Sequence, residues 1–239
     1  MKKIALIFAG GVGKRMGLKT PKQFLPVCGK EIIVHTLELF ENNKEIDEIY
    51  IGCVEEGIDI LNLLIKKYNL KKVKKVIKGG HTGQETIFKL VNLVHDIYDN
   101  AIVLVHDGVR PLVSDDTINM VIETTIKYGS AITVSPMHET PLIIKDGIID
   151  KVLDRNVVYT AKAPQAFYLK DLYNAHIKER KENITYDGIV DSCSLMKKNG
   201  FEPHIVIGDN DNIKVTTKND YYSLIGYLNA RDYNRIEED

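Results

Sequence analysis

The sequence predicts an α/β fold, a single domain with a mostly parallel, twisted sheet and one protruding β-arm. Three observations predict it. Apolar runs of strand length alternate with segments of helical period as far as Pro136, the order that gives parallel strands joined by right-handed crossovers. The first strand, residues 4–8, is a continuous apolar run of the kind buried on both faces, and it feeds a glycine-rich loop. Beyond Pro136 the alternation gives way to two short apolar runs around Asp146-Gly147, a hairpin signal.

The elements follow in order. A helical pattern over residues 32–40 precedes a strand over 48–54. A helix over 57–68 then places Ile58, Leu61, Leu64 and Ile65 on one face. Residues 74–78 form a shorter strand that ends at Gly79-Gly80. Ile87, Leu90, Val91 and Val94 define a helix over 86–98. The most apolar strand, 101–106, runs into Asp107-Gly108-Val109-Arg110-Pro111, and a helix over 115–128 and a strand over 130–135 follow. Residues 141–144 and 148–153 are the hairpin strands, part of an arm expected over 138–160. Helices are expected over 170–182 and 188–199, and strands over 204–207 and 212–216. A last helix spans 220–228, with a charged tail, 235–239, that frays. Both glycine loops and the Asp107 loop follow strands, so they are expected to converge on one edge of the sheet, where open α/β folds bind ligands.

Composition narrows the class. The chain has 239 residues, 44% hydrophobic and 27% charged, with a formal net charge of −1, so no global basic field points to nucleic acid. No apolar run approaches the roughly 18 residues that span a bilayer. The first apolar run is too short for a signal peptide, and a cytoplasmic location is expected. Cys28, Cys53 and Cys193 are odd in number and lack metal-ligand spacing, which fits reduced thiols. His81, His106, His138 and His204 are scattered and are expected to be structural.

The chemistry-bearing stretch is Ala9-Gly10-Gly11-Val12-Gly13-Lys14-Arg15-Met16 with Pro21-Lys22-Gln23 behind it. Glycines let backbone N–H groups close on an anion, and Arg15 and Lys22 stand where they could close over the same anion. Neither the P-loop spacing nor the dinucleotide fingerprint fits. Together with Gly79-Gly80, His106 to Pro111, Ala163-Pro164-Gln165-Ala166-Phe167 and Asn212-Ile213-Lys214-Val215-Thr216-Thr217, this stretch resembles the cytidylyltransferases acting on 2-C-methyl-D-erythritol 4-phosphate or ribitol 5-phosphate. The resemblance runs nearly end to end.

The resemblance implies a Rossmann-like nucleotidyltransferase that transfers CMP from CTP to a polyol phosphate and releases pyrophosphate. It implies Arg15, Lys22 and Lys214 as the cations at the reacting phosphates, and a CTP site made by Ala9, Gly10, Gly11, Gly13, Gly79, Gly80, Thr86, Asp107 and Gly108. Asp107 is expected to hold Mg²⁺ on the triphosphate, with an ion pair to Arg110 as the other reading. Arg110, Thr140, Arg155 and Asp191 are implied for the polyol phosphate, the middle two reaching from a partner's arm in a homodimer. Asp191 has a helix N-cap as its alternative.

The acceptor stays open. Ala-Gly-Gly and Asp191-Ser192-Cys193 are similar to the ribitol enzymes, which are favoured, whereas Asp154-Arg155-Asn156 is similar to the methylerythritol enzymes of isoprenoid synthesis. The chain departs from the shared pattern at Glu139, at Lys162-Ala163 and over residues 81–84. A non-catalytic nucleotide-binding subunit is the rival from another class. It would tend to lose Arg15, Lys22 or Lys214, and all three are present.

Overall fold

The computed structural model describes residues 1–11 and 20–237, the last six by backbone alone. Gly13 and Arg15 lie outside the described residues. Five strands follow the expected crossover pattern: β1 (Lys2–Ala9), β4 (Glu48–Cys53), β5 (Val73–Lys78), β6 (Ala101–Asp107) and β7 (Ser130–Pro136), with a short ribbon of β2 (Pro26–Val27) and β3 (Lys30–Glu31) between β1 and the first helix. They alternate with α1 (Ile32–Asn42), α2 (Ile58–Lys67), α3 (Gly83–His95) and α4 (Asp115–Tyr128). The remainder is the ribbon β8 (Leu142–Lys145) and β9 (Ile148–Val152), then β10 (Tyr159–Tyr168), α5 (Leu169–Glu182), α6 (Ser192–Lys198), β11 (His204–Ile207) and α7 (Lys218–Glu237).

Seven strands make one sheet in the order β11-β7-β10-β6-β1-β4-β5. Only β10 runs antiparallel, between β6 and β7. The central strands are buried on both faces, which explains their unbroken apolar runs. In β1, Ala5, Ile7 and Ala9 join the core under α1 and α2, while Ile4 and Leu6 join the core under α3 and α5. A third apolar cluster seats α7 through Leu224 against Val109, Leu112 and Val215, beside the Asp107 loop. Among the described residues no helix is long and apolar enough to cross a membrane.

Four expectations need correction. Residues 159–168 form a strand that the sequence pattern hides, because Lys162-Ala163-Pro164 interrupts the alternation and a proline weakens any strand assignment. The ladder with β7 accommodates this by a register shift between Ala161 and Gln165. Residues 212–216 are not a strand. Their backbone is held instead by the Asp107 loop (Val215 N–H to Val109 O, 3.0 Å) and by the Lys22 ammonium. The helix expected over 188–199 starts only at Ser192, because Asp191 caps it and Gly188 sits at φ 77°. The last helix extends from Lys218 through Glu237, so the tail continues it at least that far.

The hairpin forms as expected. Asp146 and Gly147 both have positive φ, 50° and 80°, as a type I′ turn requires, and Lys145 pairs with Ile148 across it. Its side chains find no cover in the chain, with Ile148 at 72% and Val152 at 66% exposure.

Candidate active site

Parallel packing brings the carboxyl ends of β1, β4, β5 and β6 to one edge. Three clusters of the expected residues assemble there.

The first is built on Asp107, the last residue of β6 and 4% exposed. Arg110 Nε lies 2.8 Å from its Oδ2, and Lys214 Nζ lies 2.5 Å from its Oδ1. Burial pushes the Asp107 carboxyl up, but the Arg110 and Lys214 charges outweigh it and hold the group below the ordinary carboxylate range. Arg110 also donates to Asn212 O at 2.9 Å. His106, fully buried, lies 3.1 Å through Nε2 from Arg110 O and packs edge-on against Phe40. Burial drives its pKa down to about 4, so it is neutral where it meets the turn.

The second cluster links Lys22 to the same strap. Lys22 Nζ donates to Val215 O at 2.8 Å, next to Lys214, and its Cε would touch a Cβ placed on Gly11 at 3.6 Å. Gln23 donates to Ala9 O at 2.8 Å, which ties the 3-10 turn of Lys22–Phe24 to the end of β1.

The third cluster is glycine packing around Thr86. The Thr86 hydroxyl accepts from Gly80 N–H at 2.9 Å and donates to Thr82 O at 3.0 Å. A Cβ on Gly79 would sit 2.9 Å from that hydroxyl, and one on Gly80 would sit 2.4 Å from Glu85, so only glycine fits. Gly10 approaches Thr86 as well, its Cβ direction meeting the hydroxyl at 3.3 Å. Gly108 has a packing reason too: a Cβ there would lie 2.6 Å from Ile33, while its N–H donates to Phe8 O at 2.9 Å.

A cavity of about 550 Å³ opens on the first cluster. Asp107, Arg110, Lys214 and Asp191 all line it. Asp191 is engaged: Ser194 N–H donates to Oδ1 at 2.8 Å in a capping box, and Gln165 Nε2 donates to Oδ2 at 2.8 Å. Thr140 and Arg155 are exposed at the base of the arm and do not line the cavity of their own chain; Arg155 donates to His138 O at 3.2 Å. Among the described residues no group of three or more His, Cys, Asp and Glu could hold a metal.

The sequence reading missed several lining residues. Lys162, where the family pattern differs, donates to Asp209 O at 3.1 Å and Asn210 O at 2.8 Å, and burial with the Arg110 charge pushes its pKa down. Ser192 stood inside the quoted Asp191-Ser192-Cys193 motif and Gln84 at the end of the departure over residues 81–84, but neither was given a role. The wall 185–190 carries no motif at all. Tyr186 anchors it from φ 61°, its hydroxyl 2.7 Å from Nδ1 of the buried His176, and burial pushes the phenol up to about 12.

Residues 3–229 match the family described as IspD: 2-C-methyl-D-erythritol 4-phosphate cytidylyltransferase. A ribitol-5-phosphate cytidylyltransferase of Vibrio parahaemolyticus is 47% identical, over 96% of this chain and 97% of that protein. One of Streptococcus agalactiae is 43% identical over 99% of both. A 2-C-methyl-D-erythritol 4-phosphate cytidylyltransferase of Clostridium tetani is 36% identical, over 92% of this chain and 87% of that protein. Among solved structures, 4-diphosphocytidyl-2C-methyl-D-erythritol synthase of Anaerococcus prevotii superposes with a TM-score of 0.82 at 28% identity, covering 95% and 96% of the two chains. The Francisella tularensis 2-C-methyl-D-erythritol 4-phosphate cytidylyltransferase gives 0.79 at 28%, covering 96% and 99%. The glycine loops, the Asp107 cluster and this end-to-end similarity have one reading: the chain belongs to the IspD cytidylyltransferase family and is a nucleotidyltransferase.

Proposed function

We propose that the enzyme transfers CMP from CTP to ribitol 5-phosphate, forming CDP-ribitol and pyrophosphate. The single observation that carries the acceptor is the gradient of similarity: relatives named for ribitol 5-phosphate reach 47% and 43% identity over nearly the whole chain, with another at 36%, whereas three named for the methylerythritol acceptor stand at 36%, 34% and 32%.

A phosphate oxygen of the polyol attacks the α-phosphorus of CTP. The new P–O bond forms in line as the bond to the bridging α–β oxygen breaks, and that oxygen leaves with the pyrophosphate. No base is needed for a phosphate dianion, so positioning and fixed positive charge supply the catalysis. Lys22 supplies charge to the triphosphate and Lys214 turns to the α-phosphate, with Arg15 and Gly13 joining them by family resemblance alone; Ala9, Gly10, Gly11, Gly79, Gly80 and Gly108 admit the nucleotide backbone-close. Arg110, with Thr140 and Arg155 from a partner's arm, holds the acceptor, and Asp191 fixes the wall beside it.

Asp107 is the carboxylate suited to Mg²⁺. Its Oδ2 stays with Arg110, while Oδ1 is paired with Lys214, whose side chain is 40% exposed and long enough to turn to phosphate. One carboxylate with substrate phosphates and water completing the shell is the set magnesium prefers. When bound, the ion neutralises charge on the triphosphate. Pyrophosphate release from CTP with a panel of polyol phosphates tests the reading. Fastest turnover is expected with ribitol 5-phosphate, and preference for 2-C-methyl-D-erythritol 4-phosphate would replace the acceptor.

A further inference from the structure

Resting on that acceptor reading, we infer that Gln84 and Ser192 read the polyol's hydroxyl groups and set its specificity. Both residues line the cavity, at 5% and 1% exposure, and Gln84 Oε1 and Ser192 Oγ are buried without a hydrogen-bond partner. Native proteins leave few such atoms, and each one calls for a partner; here both belong to side chains that line the cavity.

Two of the carboxylates that line the cavity are engaged. Asp107 is held by two cations, and Asp191, the expected hydroxyl reader, gives one oxygen to its helix cap and the other to Gln165. The opposite end of the Gln165 amide accepts from Cys193 N–H at 2.9 Å. Ser192, flanked by these two engaged residues, keeps its hydroxyl unspent. On α3, Gln84 stands three residues before Ile87, so the two share a face, and Ile87 is in the core that packs on the sheet.

The spacing suits a short polyol. Val105 and Asp107 alternate onto the same face of β6, roughly 7 Å apart along the strand, and Gln165 pairs with Val105 across the ladder. Gln165 in turn ties down Asp191, next to Ser192. Arg110, Lys214, Gln84 and Ser192 line one cavity, so a phosphate drawn to the two cations has its carbon chain in the same space as both polar side chains. An amide oxygen only accepts and a serine hydroxyl does both, which matches an alcohol and leaves a methyl group unserved. Sites built to hydrogen-bond a hydroxyl reject analogues lacking it far more strongly than apolar pockets reject extra bulk.

The test compares wild type, Gln84→Met, Ser192→Ala and the double variant. The substrates are ribitol 5-phosphate and its analogues lacking one hydroxyl at a time. Each single variant should raise the acceptor KM by roughly 2- to 13-fold, the worth of one hydrogen bond, with KM for CTP within about twofold and thermal unfolding unchanged. Wild type should discriminate against at least one deoxy analogue, and the double variant should lose that discrimination. Unchanged discrimination in folded variants overturns the inference while ribitol 5-phosphate remains the acceptor. Absence of turnover of ribitol 5-phosphate by wild type overturns the acceptor reading, and the inference with it.

Discussion

At the scale of single residues, charge decides the behaviour of this molecule. Asp107 keeps its charge in a buried position only because Arg110 and Lys214 face it. Lys214→Ala removes one of the two, so the carboxyl should titrate at higher pH and kcat should fall by roughly 10²–10³, the usual cost of one preorganised stabiliser. Lys22→Ala should lose a similar factor, and steady-state kinetics of folded variants measures both. Activity should vanish on chelation and return with Mg²⁺, and Asp107→Asn should raise the metal requirement. The buried histidines give a second test. Burial lowers His106 to about 4 and His176 to about 3, where the Arg180 charge adds to the effect. Below the ordinary histidine value of 6.5 the unfolded chain takes up protons that the folded one refuses. Stability is therefore full above that value and falls with pH through the window down to about 4, at about 1.4 kcal/mol per pH unit for each histidine. Urea unfolding between pH 7 and 4.5 should show it, with a shallower slope in His176→Phe; a pH-independent midpoint would count against neutral burial.

At the scale of elements, short capping devices position the cavity walls. The seven-residue α6 is too short to persist alone and depends on its packing and on the capping box of Asp191 and Ser194. Asp191→Ala removes that cap together with the bond to Gln165 and should cost about 1–2 kcal/mol. Asp191→Asn keeps an acceptor for Ser194 N–H and should cost less, by denaturant unfolding. Equal loss in both variants would mean that the carboxylate's charge, rather than the cap, is what the wall needs. The arm depends on its turn: Gly147 at φ 80° cannot take a Cβ without strain of roughly 1–2 kcal/mol.

At the scale of the whole molecule, the arm leaves apolar side chains exposed. A two-stranded ribbon is marginal in water, and this one exposes Leu142, Ile143, Ile144, Ile148, Ile149 and Val152. Covering them in a two-fold pair would place Thr140 and Arg155 of one protomer at the cavity of the other, where their own chain does not use them. Mixing an Arg155→Ala chain with a Lys22→Ala chain should restore part of the activity that each homodimer lacks, because one site of the mixed dimer keeps both residues. An active monomer in the ultracentrifuge, or a proven mixed dimer without recovery, would rule out the shared site.

The central strands were legible in the sequence because burial on both faces leaves an unbroken apolar signature, as in residues 101–106. The glycine loops and Asp107 were legible because they end such strands, and a parallel sheet carries strand ends to one edge. The arm was legible from Asp146-Gly147, whose positive φ values belong to one turn type. Tertiary structure alone decided the rest. Residues 159–168 became the antiparallel strand β10 because a register shift absorbs Pro164, a solution that exists only once β6 and β7 flank it. Residues 212–216, strand-like by alternation, became a strap because Lys22 and Arg110 take their carbonyls. Asp191, named from its motif, has both carboxylate oxygens engaged within the fold, by Ser194 N–H and by Gln165 Nε2. Which polar atom is spent inside the protein and which is left for a ligand depends on partners remote in the chain, and local sequence does not encode those partners.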